Sequence, residues 1–207
     1  MNDPTTGARP WGGRLPLVDR DDLDGDQREL DRELREKVVP WADQMGFAAT
    51  ADDGQFIGPM NIYLQRPQVS RGYLDWILAE QRESSLSAKV REVVVLTIAA
   101  AWRSEYIAYS HAAIARNVGL AESAVSAILH GSAGSDLTRE ELASHRFAAE
   151  VVTQRTVSTE TYELAVQIFG ESGVIDMANL VGIYLAASAL QNAFEVPAPA
   201  SPWADHG

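Results

Sequence analysis

The sequence predicts an all-α fold, and three observations carry that reading. Apolar residues recur at spacings of three and four through most of the chain, which places them on one face of a 3.6-residue helix. No segment shows sustained apolar and polar alternation between hairpin turns, so no strand is expected. Glycine, proline and small hydroxyl or acidic residues stand where helices would begin and end.

Residues 1–25 hold Pro4, Pro10, Gly12, Gly13 and Pro16, which break any period, and read as an extended N-terminal arm. Residues 26–41 space Leu30, Leu34, Val38 and Val39 among many charges, the pattern of a solvent-facing amphipathic helix ended by Pro40. The run Asp52-Asp53-Gly54-Gln55-Phe56-Ile57-Gly58-Pro59 reads as a loop, because Asp-Gly and Gly-Pro are turn dipeptides. A helical turn over 61–64 precedes Pro67, and a helix over 68–83 turns Leu74, Ile77 and Leu78 inward. Ser84-Ser85-Leu86-Ser87 then offers an N-cap to a helix in which Val90, Val93, Val94, Thr97, Ile98 and Ala101 follow the i, i+3, i+4, i+7 rule.

Further helices are expected over 104–117, stopped by Gly119, and over 122–129, ending at Gly131. After a connector over 131–136 come 137–154, 158–169 and 174–193. The last of these is apolar nearly all round, as a core helix or an oligomer interface would be. Asp176, Asn179, Ser188, Gln191 and Asn192 interrupt it too often for a membrane span. Pro197, Pro199 and Pro202 make 197–207 a tail, which leaves 26–196 as a single domain. A weak internal repeat appears when Val90, Glu92, Val93 and Leu96 are laid over Val174, Asp176, Met177 and Leu180.

Composition narrows the function. Seventeen basic residues against 29 acidic ones give a formal charge of -12 over 207 residues, a field that repels phosphate backbones and anionic lipid. No basic cluster interleaved with aromatics overrides it, so neither nucleic acid nor membrane is an expected partner. The absence of cysteine removes disulfides, thiolate nucleophiles and cysteine metal sites. His130, His145 and His206 lack an inward-facing ligand pattern; Glu141 and His145 have the spacing but read as a solvated pair, so no metal is expected. The glycines form neither a Walker loop nor a dinucleotide fingerprint, and no cofactor is expected. The first residues lack the basic and apolar regions of a signal peptide, which makes a cytoplasmic protein the default expectation.

The stretch from Arg91-Glu92 through Trp102-Arg103-Ser104-Glu105-Tyr106 to His111 concentrates the chemistry. It gathers carboxylates, a hydroxyl, phenols and an imidazole in an otherwise apolar helical region, where charge needs a reason. If Ser104 opens a helix, His111 lies about two turns on and projects from the same face, with Glu105 to one side and Tyr109 one turn above it. Imidazole titrates near neutrality, so His111 is the candidate general acid or base. Glu105 reads either as its partner or as a helix-start carboxylate favoured by the macrodipole, and Glu92 either as a catalytic carboxylate or as an ion-pair partner of a nearby arginine. Ser104 and Tyr109 offer hydrogen bonds to a substrate, Trp102 and Arg103 belong to the same substrate-facing stretch, and Arg103 or Arg116 would hold an anionic group. Tyr106 reads as core.

These residues resemble the carboxymuconolactone decarboxylase family, which includes the alkyl hydroperoxide reductase D branch. The resemblance spans about residues 58–197. It is carried by Gly58-Pro59-Met60-Asn61, Leu86-Ser87-Ala88-Lys89-Val90-Arg91-Glu92, the stretch from Trp102 to His111, Phe169-Gly170-Glu171-Ser172-Gly173-Val174 and Asn192-Ala193-Phe194-Glu195-Val196-Pro197. It implies a helical bundle of paired repeats that assembles into trimers, hexamers or related homo-oligomers. In the hydroperoxidase branch a Cys-x-x-Cys and a following His act with an upstream Glu. Here Ser104 and Ile107 stand at the cysteine positions, while Glu92, Glu105 and His111 match the remaining types. Thiol peroxidase activity is therefore not expected, because serine cannot close a disulfide redox cycle.

The decarboxylase branch needs no thiol and is closer, although Ile107 and Ser110 replace ionisable groups often found there. The expected activity is that of a cofactor-independent lyase or isomerase acting on a small lactone or carbonyl acid by proton transfer at His111, with Glu105 and Glu92 in the catalytic set. The alternative is a catalytically idle oligomer that binds a small ligand or a partner protein.

Overall fold

The computed structural model describes residues 11–200 and Trp203; Pro4, Pro10, Pro202 and His206 lie outside the described residues. Eight helices make up the described chain: α1 (Gly25–Met45), α2 (Pro59–Gln65), α3 (Pro67–Glu83), α4 (Ala88–Trp102), α5 (Glu105–Asn117), α6 (Glu122–Leu129), α7 (Arg139–Gln154) and α8 (Thr159–Ala193). The only pairing of the β type among the described residues is a single bridge between Thr50 and Phe56, in the turn around Gly54.

Local chemistry sets the boundaries. Asp24 and Gln27 form a reciprocal capping box at the start of α1, and Thr138 and Glu141 form another at α7. The Ser87 hydroxyl accepts from the Val90 N–H to open α4, and the Ser158 hydroxyl accepts from the Thr161 N–H to open α8. Gly46 ends α1 with φ +84 and Gly119 follows α5 with φ +87, the left-handed conformation that glycine enters without a Cβ penalty.

Two sequence expectations change and one holds. Pro40 does not end α1, which runs on to Met45. The proline removes the hydrogen bond to the Glu36 carbonyl, but both residues are exposed, so the carbonyl lies on the solvent side, while two residues further on Ala42 is fully buried and holds the helix to the core. The two helices expected over 158–169 and 174–193 are both present, and within α8 they meet at a sharp break at Gly170 (φ 69, ψ 172). Leu78, expected inward, is half exposed, because α3 faces a cavity there and not packed side chains.

Packing is organised around α4. Its residues Val93, Val94, Leu96 and Ile98 are fully buried, and each such side chain contributes about 1.5–3 kcal/mol relative to exposure. Helices α5, α6, α7 and α8 surround it. A second apolar cluster joins Leu30 and Leu34 of α1, Met60 and Leu64 of α2 and Tyr106 and Ile114 of α5, with Tyr73 of α3 touching both clusters. Helix α8 has the length and apolarity of a membrane span, but Met177, Leu180, Val181 and Ile183 are buried inside this bundle, which is what its apolar surface serves.

The described part of the arm is held to the far end of the chain. The Arg14 N–H donates to the Phe194 carbonyl at 2.7 Å, and the Arg14 guanidinium meets the Ala193 carbonyl and Glu195. Asn61 fixes the next few residues, accepting from the Val18 N–H and donating to the Pro16 carbonyl.

Gly58 is the tightest backbone position in the second cluster. Its φ is +64, and a Cβ there would lie 2.4 Å from Cζ of the Tyr106 ring. Tyr106 cannot withdraw, because its hydroxyl donates to the Ala48 carbonyl at 2.7 Å. Gly58→Ala is expected to lower stability by about 3 kcal/mol. Gly54→Ala, with φ +81 but open space around it, costs only about 1–2 kcal/mol. Urea midpoints of the two variants should differ in that order.

Candidate active site

Helix α4 carries Glu92 into the bundle, where it is 8% exposed. A carboxylate placed there requires a partner, and it finds one in His111 of α5, with Oε2 at 2.8 Å from Nδ1. Both side chains are largely shielded, at 11% and 13% exposure. With Nδ1–H donated to Glu92, Nε2 is the ring nitrogen left without a protein partner among the described residues. The Tyr184 ring of α8 meets the imidazole edge-on, its centroid 4.9 Å away. Burial, and next the nearby Glu92 charge, push the Tyr184 phenol well above its ordinary pKa, so it stays a hydrogen-bond donor.

The pair stands where two chambers meet. The outer chamber, about 560 Å³, lies between α1 and α3 and is floored by Glu92, His111 and Tyr184. The inner one, about 160 Å³, continues from His111 and Tyr184 toward Tyr63, Tyr106, Ile107 and Gln191. Charge is concentrated in the outer chamber. Arg91 is paired with Glu80, and Arg71 with Glu33 and Glu29. Lys37 of α1 also lines it and has no ion-pair partner among the described residues.

Of the residues singled out in the sequence, the structure brings Glu92 and His111 together and places the others elsewhere. Glu105 is exposed in the first turn of α5 and lines a surface depression with Arg103, Asn192 and Glu195. Ser104 is the N-cap of α5 and, as His111 does, faces α8, but it lines neither chamber. Its fully buried hydroxyl donates to Asn192 Oδ1 at 3.1 Å. Asn192 in turn donates to the Trp102 carbonyl, so Ser104 and Trp102 together anchor the α4–α5 corner to α8.

Arg103 occupies the left-handed cap of α4 and stacks over Trp203, 4.6 Å from its ring centroid. Arg116 pairs with Glu122. Neither lines the chambers. The Tyr109 hydroxyl accepts from the Ala48 N–H at 3.0 Å, and Tyr109 lines neither chamber. Glu141 is buried and caps α7, and His145 turns inward to Thr97, so the expected solvated pair does not form. No cluster of metal-ligating residues occurs among the described residues.

Lys37, Arg71 and Tyr184 were not anticipated. Nothing local marks them: Lys37 and Arg71 sit among other surface charges, and Tyr184 stands in an apolar run. Only the packing of α1, α3 and α8 over the dyad selects them.

Residues 67–150, from the start of α3 into α7, match the model of the carboxymuconolactone decarboxylase family. The match covers 84 of the 207 residues, and over that segment the chain is similar to this family. The matched segment includes Glu92 and His111, whereas Lys37, Tyr184 and Gln191 fall outside it.

No curated protein sequence matches. Among solved structures the chain is similar to the core of alkylhydroperoxidase AhpD, an uncharacterised peroxidase-related protein from Ralstonia eutropha JMP134. The TM-score is 0.73 and the identity 18%, over 92% of this chain and 94% of that one. A protein of unknown function from Agrobacterium tumefaciens aligns with a TM-score of 0.63 at 13% identity, over 68% of this chain and 97% of that one. The debrominase Bmp8, a cysteine-to-alanine variant in complex with 2,3,4-tribromopyrrole, aligns with a TM-score of 0.69 at 14% identity, over 90% and 91% of the two chains. Identities this low establish the shared all-α fold.

Two predictions separate structural from site residues. Ser104→Ala is expected to cost about 1 kcal/mol in urea denaturation, the worth of one hydrogen bond, and to leave ligand binding in the chambers unchanged. His145 shows a pH effect. Thr97 donates to the Val93 carbonyl and so accepts the His145 Nδ1–H at 2.8 Å, which sets the Nδ1–H tautomer of the neutral ring. Burial lowers its pKa below the ordinary value of 6.5. The unfolded chain therefore binds this proton more readily than the folded one, and stability is complete above that value and declines as pH falls below it. His145→Gln should flatten this acid limb in thermal melts taken between pH 7 and 5.

Proposed function

We propose that this protein is a member of the carboxymuconolactone decarboxylase family and a cofactor-independent lyase or isomerase that moves a proton at carbon on a small carbonyl acid or lactone. The observation that carries the reading is the shielded Glu92–His111 pair at the junction of the chambers. A cavity of about 560 Å³ is within the ordinary range for small-molecule sites.

In the decarboxylating direction the substrate's C–C bond to its carboxylate breaks, carbon dioxide leaves, and the electron pair passes into an enolate. The Tyr184 phenol donates to the enolate oxygen, and the imidazolium, held by Glu92 at Nδ1, delivers its Nε2 proton to carbon. In the isomerising direction neutral Nε2 takes a proton from the carbon beside a carbonyl and returns it at another position. The unpaired Lys37 ammonium, with Arg71 behind it, is placed to attract the substrate carboxylate at the mouth. A binder with no chemistry gains nothing from an oriented, shielded imidazole, which supports the catalytic reading over the idle one.

The test is turnover of a panel of β-keto acids and unsaturated lactones, followed by carbon dioxide release and ultraviolet absorbance. His111→Gln is expected to lower kcat by about 10²–10⁴-fold with the fold intact by circular dichroism. Turnover unchanged by that substitution would defeat the assignment.

A further inference from the structure

Helix α1 carries one apolar stripe among its charges, Leu30, Leu34, Val38, Trp41 and Met45, spaced by four and three residues. All five side chains line the outer chamber. At 1.5 Å per residue the stripe is about 22 Å long. Leu74, Ile77 and Leu78 of α3 supply the opposite wall, so the chamber is elongated along the two helices. Its volume of about 560 Å³ is well beyond the ~150 Å³ that a single benzene ring fills.

Packing inside the chain does not account for this stripe. Leu30 and Leu34 are buried, whereas Trp41 is 37% exposed and Leu78 of α3 is 50% exposed. Trp41 is nevertheless held in place, its ring edge-on to Phe47 with centroids 5.3 Å apart. Large apolar side chains left wet around one concave space mark a ligand groove.

The charges limit how polar that ligand is. Of the cations lining the chamber, Arg71 is neutralised by Glu33 and Glu29 and Arg91 by Glu80, which leaves Lys37, while Asp75 and Glu92 add negative charge. One carboxylate therefore has a counter-charge. A second would lie against the apolar wall or an acidic side chain, and both are unfavourable.

We propose that the outer chamber takes an open-chain acid with a single carboxylate, its unbranched apolar chain laid along the α1–α3 groove and its reacting end over the Glu92–His111 pair. Trp41 and Leu78 set specificity through the chain and take no part in proton transfer. Dicarboxylic acids are excluded by the charge balance of the walls. This assignment rests on the reading of the cavity as the substrate site.

The experiment uses unreactive acids, so its outcome is separate from that of the turnover assay. Binding of butanoate, octanoate and octanedioate to the full chain is measured by calorimetry. Each buried methylene is worth about fourfold in affinity, and octanoate is expected to bind at least about thirtyfold more tightly than butanoate. Octanedioate should bind at least about tenfold more weakly than octanoate. Leu78→Asp should bring octanoate down to the level of butanoate with the circular dichroism unchanged. Leu142→Asp, an equally exposed leucine on α7 outside the chamber, should leave all three affinities as they were. Equal affinities of butanoate and octanoate would overturn the proposal. So would octanedioate binding as tightly as octanoate, chain-length dependence that survives Leu78→Asp, or an equal loss in Leu142→Asp.

Discussion

A carboxylate on the central helix of an apolar bundle is the constraint on which this site depends. Helix α4 is surrounded on nearly every side, so Glu92 cannot reach bulk water as a surface glutamate would. Leaving it unpaired would cost several kcal/mol, and pairing it requires a proton donor carried by a neighbouring helix. His111 fills that role, and in doing so its ring is fixed in one orientation and one tautomer. The same contact that makes the buried charge tolerable also prepares the imidazole for chemistry.

The surrounding helices divide the work. Helix α8 supplies Tyr184 against the imidazole, helices α1 and α3 wall the outer chamber, and α5 carries the base itself. The residues flanking His111 in sequence serve the frame. Tyr106 and Tyr109 hold the Ala48 peptide from both sides, through its carbonyl and its N–H, and Ser104 with Asn192 ties the α4–α5 corner to α8. The segment of the chain densest in polar groups is thus mostly scaffold, although Glu92, Tyr106 and Ser110 line the chambers with His111.

Most helices were legible because their periodicity and caps are local properties; α6, for example, begins and ends where its glycine and acidic signals place it. Pro40 misled because its effect depends on exposure, which a sequence does not show. Within the site, Glu92 and His111 were legible as residue types, but their pairing was not: they are 19 positions apart on different helices, and Glu105 was nearer in sequence. Ser104 was legible as the start of α5 on the side of His111, but its engagement by Asn192 of α8 was not. Tyr184 acquires meaning only from the packing of α8 against α4 and α5, a contact no short window contains.

The clasp between the arm and the end of α8 bears on how the chain reaches this state. The Arg14 side chain and the Ala193 carbonyl are separated by 179 positions, and closing a flexible loop of that length costs ~4–5 kcal/mol in chain entropy beyond a constant. A few exposed polar contacts do not offset such a cost in an unfolded chain. They are expected to form once the packed helices have brought the ends close, so that the clasp closes on a bundle already built around α4.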